Sequence, residues 1–321
     1  MSQLPKVEEV VQTPAKTIHL PKVMSDDEVH KLEGTVIKKQ PKHILNENVD
    51  VFCEDTGRPI LKMRKKAIPP SVWKQAFTSL EKAATPSDNR GMASGPISDQ
   101  EIMEVVKANG GVSYRRMSPH RYVVVFEDGT ESKVTRAKMS YGGIVGFFGR
   151  TARQPYCRLT SFAQDNFTKF KRSWPMLRWV DRYYEALFPE QYAKQVEAVN
   201  KSSEDFVIPN TAFSTVTVNK NFATACHYDK GDFAEGFGNL SVVRKGKYEG
   251  GYTCFPQYDA GVNAETGDIV LMDVHQLHGN SPMVREPNAV RLAFVMYFRD
   301  NIQSCKSEKE EISRARNRGD I

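Results

Sequence analysis

His227-Tyr228-Asp229, followed far downstream by His278 and then by Arg291, is the part of this chain whose reading decides the rest. Two imidazoles and one carboxylate in this order match the two-His-one-carboxylate set. That set holds Fe(II) on one face and leaves the other positions open to a co-substrate and oxygen. Alternate residues of a strand project from one face, so His227 and Asp229 supply two ligands without long-range folding. His278 follows the turn signal Gly267-Asp268 and the apolar run Ile269-Val270-Leu271-Met272, which predicts a buried strand. Arg291 opens Arg291-Leu292-Ala293-Phe294-Val295-Met296-Tyr297-Phe298, a second predicted strand. Its guanidinium suits bidentate pairing with a carboxylate on a metal-bound co-substrate. His275 competes with His278 as the distal ligand. Gly279 leaves backbone room beside a ligand and favours His278, with His275 read as a supporting or surface residue. A lone His-x-Asp arises often by chance, so the ordered set carries the weight and not the tripeptide.

The remaining composition is that of a globular chain. Its 321 residues, 40% hydrophobic and 26% charged, are enough for one sizeable core with elaborations. No apolar run approaches the ~18 residues of a membrane span, and the first residues lack the apolar core of a signal peptide. Five scattered cysteines with no Cys-x-x-Cys suggest neither a zinc knuckle nor a disulfide framework. The expectation is therefore an intracellular protein, in the cytoplasm of a bacterial or infected cell or in a nucleus. Cys226, beside His227, reads as a small buried neighbour. The net charge of +6 is mild. Its distribution is more telling, with Lys62-Met63-Arg64-Lys65-Lys66, Arg115-Arg116 with Arg121, and Lys169-Phe170-Lys171-Arg172-Ser173-Trp174. Cations mixed with aromatics neutralise phosphates and stack on bases. Any one such cluster is more often a solvated face, so the expectation is that at least one lines a nucleic-acid path.

The chain divides into a loosely ordered arm or short helices over 1–45, a single domain over 46–305, and a charged helix or tail over 306–321. Within the domain, 46–205 is the helical flanking part and 206–300 the strand-rich core. Helices are predicted from Pro70, with Ser71 as a candidate N-cap, over 161–182, and over 189–200. Trp174, Leu177, Trp179, Val180 and Tyr183 form an apolar face that reads as core. A hairpin insertion is predicted at about 113–138, with Arg121–Phe126 running into the Asp128-Gly129 turn and returning over 131–136.

At these same residues the chain resembles the TET and J-binding-protein dioxygenases, including phage and microbial members. The resemblance is carried by Thr215-Val216-Thr217-Val218-Asn219-Lys220-Asn221, His227-Tyr228-Asp229-Lys230-Gly231-Asp232, Gly250-Gly251-Tyr252, Leu277-His278-Gly279-Asn280 and Val290 to Tyr297. Upstream, Gly143 to Arg150 and Cys157-Arg158-Leu159-Thr160 are similar to segments preceding the core of that family. It covers about residues 140–300 well and 45–140 thinly. The resemblance implies an α+β, mainly β fold, a double-stranded β-helix or jelly roll with flanking helices. It implies an oxidoreductase that uses Fe(II), 2-oxoglutarate and O2 to hydroxylate the 5-methyl group of 5-methylcytosine or thymine in DNA, on a flipped-out nucleotide. By position, His227, Asp229 and His278 become the iron ligands and Arg291 the holder of the 2-oxoglutarate carboxylate. Asp232 matches a residue that contacts the target base in several relatives. A carboxylate accepts from the amino group of 5-methylcytosine, toward which the reading leans, but equally from N3–H of thymine. Asp232 is otherwise a turn residue. Two alternatives stand beside this reading: a 2-oxoglutarate-dependent hydroxylase of a protein or small molecule, and a non-catalytic DNA-binding β-barrel.

Overall fold

The computed structural model describes residues 3–320. The strand Val290–Tyr297 lies at its centre. It pairs antiparallel with Thr215–Lys220 on one side and with Gly238–Lys245 on the other. Outward from these, Ser140–Phe148 and Thr85–Ser87 extend the sheet in one direction. Ile269–Met272, Pro59–Arg64, Val49–Cys53 and Lys16–Leu20 extend it in the other, and Arg158–Leu159 pairs with Ser140–Phe148 to complete ten strands. A second sheet of four strands, Gly279–Asn280, Thr253–Phe255, Ala260–Val262 and His43–Leu45, closes over it. The arrangement is a double-stranded β-helix flanked by helices.

Period-two alternation decides which face does what. Leu292, Phe294 and Met296 point to one side, with Val216, Val218, Ile269 and Leu271, and are buried against helices. Ala293 points to the other, with Leu240, Val242, Val270 and Met272, and meets Phe255, Ala260 and Val262 of the second sheet. Removing a Leu or Phe side chain from water contributes about 1.5–3 kcal/mol, so a one-residue slip of this strand would forfeit most of both cores. The helix Phe167–Leu187 covers the outer face through Phe170, Leu177, Val180, Tyr184 and Leu187, one stripe at helical spacing. The helices Pro70–Leu80 and Pro189–Lys201 flank it, each with proline in the first turn, where the missing N–H has no intrahelical partner to lose.

The structure corrects several expectations. Of the two readings of the arm over 1–45, the short helices are there, Val7–Val11 and Asp26–Lys31, but the described part is not loosely ordered: Lys16–Leu20 pairs in parallel with Val49–Cys53, and His43–Leu45 in parallel with Ala260–Val262. Strands this short carry too few residues for a period to register, and their partners lie elsewhere in the chain. The helix read over 161–182 breaks at Asn166 into Ser161–Asp165 and Phe167–Leu187. The hairpin strand Arg121–Val125 pairs with the preceding Ser113–Ser118 and not chiefly with 131–136, which adds isolated bridges at Arg136 and Glu131. The turn at Asp128-Gly129 does form, with Gly129 at φ 79° and Thr130 N–H donating to the Asp128 carboxylate. Cys157 and Cys305 are joined in a disulfide, against the expectation of none. Their pairing depends on Ser140–Phe148 and the residues after Tyr297 lying together, which spacing along the chain does not reveal.

Two smaller units complete the molecule. The helix Asp99–Ala108, capped reciprocally by Ser98 and Glu101, packs on the hairpin. Together they bury Ile97, Ile102, Val106, Tyr122 and Val124 in a core of their own. The C-terminal helix Glu308–Asn317 docks through Glu311, a buried carboxylate that pairs with Arg150 and accepts from the N–H groups of Cys157 and Lys306. Among the described residues no helix is long and apolar enough to cross a membrane.

Candidate active site

His227 and His278 face each other through a single antiparallel bridge. The N–H of His227 donates to the carbonyl of His278 at 2.8 Å, and the reverse bond is 3.1 Å. Gly279 makes that approach feasible, since a Cβ there would sit 3.0–3.1 Å from the backbone of Ala225 and Cys226. The two rings lie 4.5 Å apart. Asp229 stands between them, its Oδ1 3.5 Å from Nε2 of His227 and its Oδ2 3.7 Å from Nε2 of His278.

The tautomers follow from the partners. Nδ1 of His227 lies 2.8 Å from the carbonyl of Ala225, and Nδ1 of His278 lies 3.0 Å from that of Gln276. A carbonyl only accepts, so Nδ1 carries the proton and the Nε2 lone pair turns toward Asp229. Burial and the neighbouring His227 lower the pKa of His278, which favours the neutral, ligating form. Burial alone would raise the Asp229 carboxyl. The neighbouring His227, His278 and Arg90 side chains instead hold it well below the usual range. One donor atom from each of the three residues falls within 4.8 Å of the others. Two neutral imidazoles and an ionised carboxylate converging in this way fit a divalent transition metal.

The triad opens into a cavity of about 600 Å³. The inner face of the central strand forms one wall, with Arg291, Ala293, Val295 and Tyr297 in succession and Arg299 next beyond. Arg291 is 4% exposed, and burial pulls its pKa down while Tyr248 supports the charge. Among the described residues no carboxylate pairs with it. A buried guanidinium without a counter-ion, in a cavity beside a metal-type triad, is suited to an incoming carboxylate. Asp232 is half-buried at the other end and bridges by backbone to Arg299. Burial and the Asp229 charge push its carboxyl well above the usual range, against the opposing pull of Arg299. His275 points away from the triad and places Nε2 3.2 Å from the carbonyl of Phe233.

Most of the basic clusters serve the fold. Lys62 and Arg64 pair with Asp50, and Lys65 with Asp268 and Glu265. Arg115 is bidentate to Glu131, and Arg116 pairs with Asp99. Lys171 lies over the ring of Phe167. Only Arg121 of these groups lines the cavity. Two cavity arginines escaped the sequence reading. Arg90 sits in Asp88-Asn89-Arg90-Gly91, which reads as plain loop. Arg299 lies one residue past the predicted strand, where extending the alternation of 291, 293, 295 and 297 would have found it.

A solved structure, NgTET1 in complex with 5mC DNA, superposes with a TM-score of 0.54 at 11% identity, covering 97% of this chain and 95% of that one. At that identity the likeness is one of fold. By sequence, the chain is 35% identical over 171 residues to the bifunctional helicase and thymine dioxygenase JBP2 of Leishmania braziliensis. It is 36% identical over 174 residues to the thymine dioxygenase JBP1 of Trypanosoma brucei brucei. Each match takes in 52% of this chain but only 15% and 20% of those longer relatives. The Tet_JBP model, described as the oxygenase domain of the 2OGFeDO superfamily, matches residues 144–300, which hold the triad, Asp232, Arg291 and Arg299. Over residues 144–300 the chain therefore matches the oxygenase domain of the TET/J-binding-protein family.

Proposed function

We propose that this protein is an Fe(II)- and 2-oxoglutarate-dependent dioxygenase that hydroxylates the 5-methyl group of a pyrimidine in DNA, thymine or 5-methylcytosine. One observation carries the reading: a His-Asp-His donor set and an unpaired, buried arginine line one cavity. His227, Asp229 and His278 hold the metal, and Arg291 takes a carboxylate of 2-oxoglutarate. With O2, the bound iron supplies the oxidising power that side chains lack, converting 2-oxoglutarate to succinate and CO2 as the methyl group gains a hydroxyl.

The protein's own contribution is placement. The carbonyls of Ala225 and Gln276 orient the imidazoles. Arg291 fixes the co-substrate from the buried end of the strand, and Asp232, with Arg299 behind it, meets the edge of the base from the other. A methyl group stacked in a duplex cannot reach a recessed metal, so the target nucleotide flips into the cavity at a cost of roughly a few kcal/mol. The unit responsible extends beyond 46–305, because Lys16–Leu20 pairs into the main sheet and Glu308–Asn317 docks through Glu311 on Arg150 and Cys157.

The sequence relatives favour thymine and the bound DNA of the fold relative favours 5-methylcytosine, so the test offers both. DNA containing the two bases is incubated with protein, Fe(II) and 2-oxoglutarate, and nucleosides are analysed by mass. A hydroxymethylated pyrimidine is the expected product. Iron-dependent succinate without a modified nucleoside would point to a hydroxylase of another substrate. Neither product would leave a DNA-binding barrel.

A further inference from the structure

Arg90, half-buried, and Arg121, exposed, come from separate segments and line the same cavity near its opening. Arg121 begins the hairpin strand Arg121–Val125, and Arg90 precedes the short turn Gly91–Ser94. Gly91 lets them approach: its φ is +56°, and a Cβ there would lie 2.6 Å from a terminal nitrogen of Arg121. The loop is tied at both ends. The carbonyl of Ala93 accepts from Ala225 N–H at 2.9 Å, two residues before His227. Asp88 pairs with Arg136 at 2.6 Å, and its carbonyl accepts from Ala137 N–H at 2.7 Å. Its position is thus set by the metal-site strand on one side and the hairpin lobe on the other.

Neither arginine is neutralised within the protein. Nε of Arg90 is buried with no hydrogen-bond partner. Among the described residues no carboxylate forms an ion pair with either side chain. The charge of Arg90 reaches as far as Asp229. Two like charges lining one cavity repel, and a buried N–H left unmade costs about 1–3 kcal/mol. A doubly charged or bidentate oxyanion relieves both. Arg291 already supplies the deep carboxylate site, whereas this pair sits at the rim, where the backbone of an extruded nucleotide must turn.

We propose that Arg90 and Arg121 form a phosphate clamp that grips the DNA backbone beside the flipped nucleotide. The proposal rests on DNA being the substrate. Guanidinium forks match phosphate oxygens bidentately, and phosphate contacts fix the register of a nucleotide without reading its base. The clamp therefore positions either pyrimidine for Asp232 and makes no choice between them.

The test pairs a substrate change with a protein change. Duplexes carrying a neutral methylphosphonate at each phosphate around the target base are compared with the unmodified duplex on the intact protein. One flanking position should weaken binding about tenfold. In Arg90→Ala/Arg121→Ala, the same methylphosphonate should add no further loss. The slope of log affinity against log salt should fall by about one per arginine removed. The KM for DNA should rise while that for 2-oxoglutarate holds. An intact protein that oxidises DNA but is indifferent to every methylphosphonate overturns the clamp. So does a double variant whose KM for 2-oxoglutarate rises in place of that for DNA, since the pair would then serve the co-substrate. An intact protein that makes no hydroxymethylated nucleoside refutes the underlying function and not the clamp alone.

Discussion

The wall of the cavity and its mouth are built on different principles. The wall is Val290–Tyr297, paired along its length on both sides, with Leu292, Phe294 and Met296 fully buried behind it. The mouth includes the lobe of Asp99–Ala108 and the hairpin, whose core is five buried residues and whose strand Ser113–Ser118 is largely exposed. Its strands pair with each other and not with the main sheet. A site that must hold donor atoms within a few tenths of an ångström needs the first kind of support. A surface that must admit a duplex and yield to it is served by the second, since local stability follows buried apolar contact. The loop bearing Arg90 joins the two.

The largest effect separating them should come from the triad. His227→Ala, Asp229→Ala or His278→Ala is expected to abolish succinate production and weaken Fe(II) binding, because each removes a ligand and the geometry with it. His275→Ala should keep measurable turnover. A dead His275→Ala beside an active His278→Ala would reverse the ligand assignment.

Ile102→Ala tests the lobe, where truncation of a fully buried Ile costs about 2–5 kcal/mol. Hydrogen exchange should quicken across 97–137 and leave Val290–Tyr297 protected. Equal loosening of both would mean that they open as one unit and the contrast is false.

Arg291→Leu is expected to raise the 2-oxoglutarate requirement at least about tenfold, a charge-assisted pair being worth about 1.5–3 kcal/mol. DNA affinity, set at the mouth, should change much less. An unaltered 2-oxoglutarate dependence would place the carboxylate elsewhere.

The smallest and most selective change is Asp232→Ala. Methylated-DNA oxidation should fall by roughly tenfold, the loss of one hydrogen bond. Uncoupled 2-oxoglutarate decarboxylation should persist, because Asp232 is not one of the three donors and, on the proposed function, contacts the base. Oxidation at the normal rate would reduce Asp232 to a turn residue.

Much of this was legible because it is local. The two-residue spacing of His227 and Asp229 brought them into one reading, although they lie at an isolated bridge and not on the expected strand, and the Gly267-Asp268 turn with its apolar run delivered the strand before His278. The run from Leu292 to Tyr297 is continuously apolar, so its membership of the core was readable. The family resemblance extended the same reading to Arg291 and Asp232. Ser98 with Glu101, and Ser307 with Glu310, are capping boxes that the sequence displays openly, although neither was singled out.

What the sequence by itself determined, then, is the candidate donor set, the apolar strands around it and the turn chemistry between them, since each is a pattern within a few residues. Tertiary structure alone decided the parallel pairing of Lys16–Leu20 and His43–Leu45, the partner of the hairpin strand, the union of Cys157 with Cys305, and which cations face the cavity. Lys62, Arg64 and Lys65 looked like a nucleic-acid patch until Asp50, Glu265 and Asp268 were seen to neutralise them. Arg90 looked like loop until the fold set it in the cavity lining with Arg121, its Nε buried and without a hydrogen-bond partner. A charge declares its role only through what surrounds it in space, and those neighbours are set by chain closure over long separations, which no local pattern encodes.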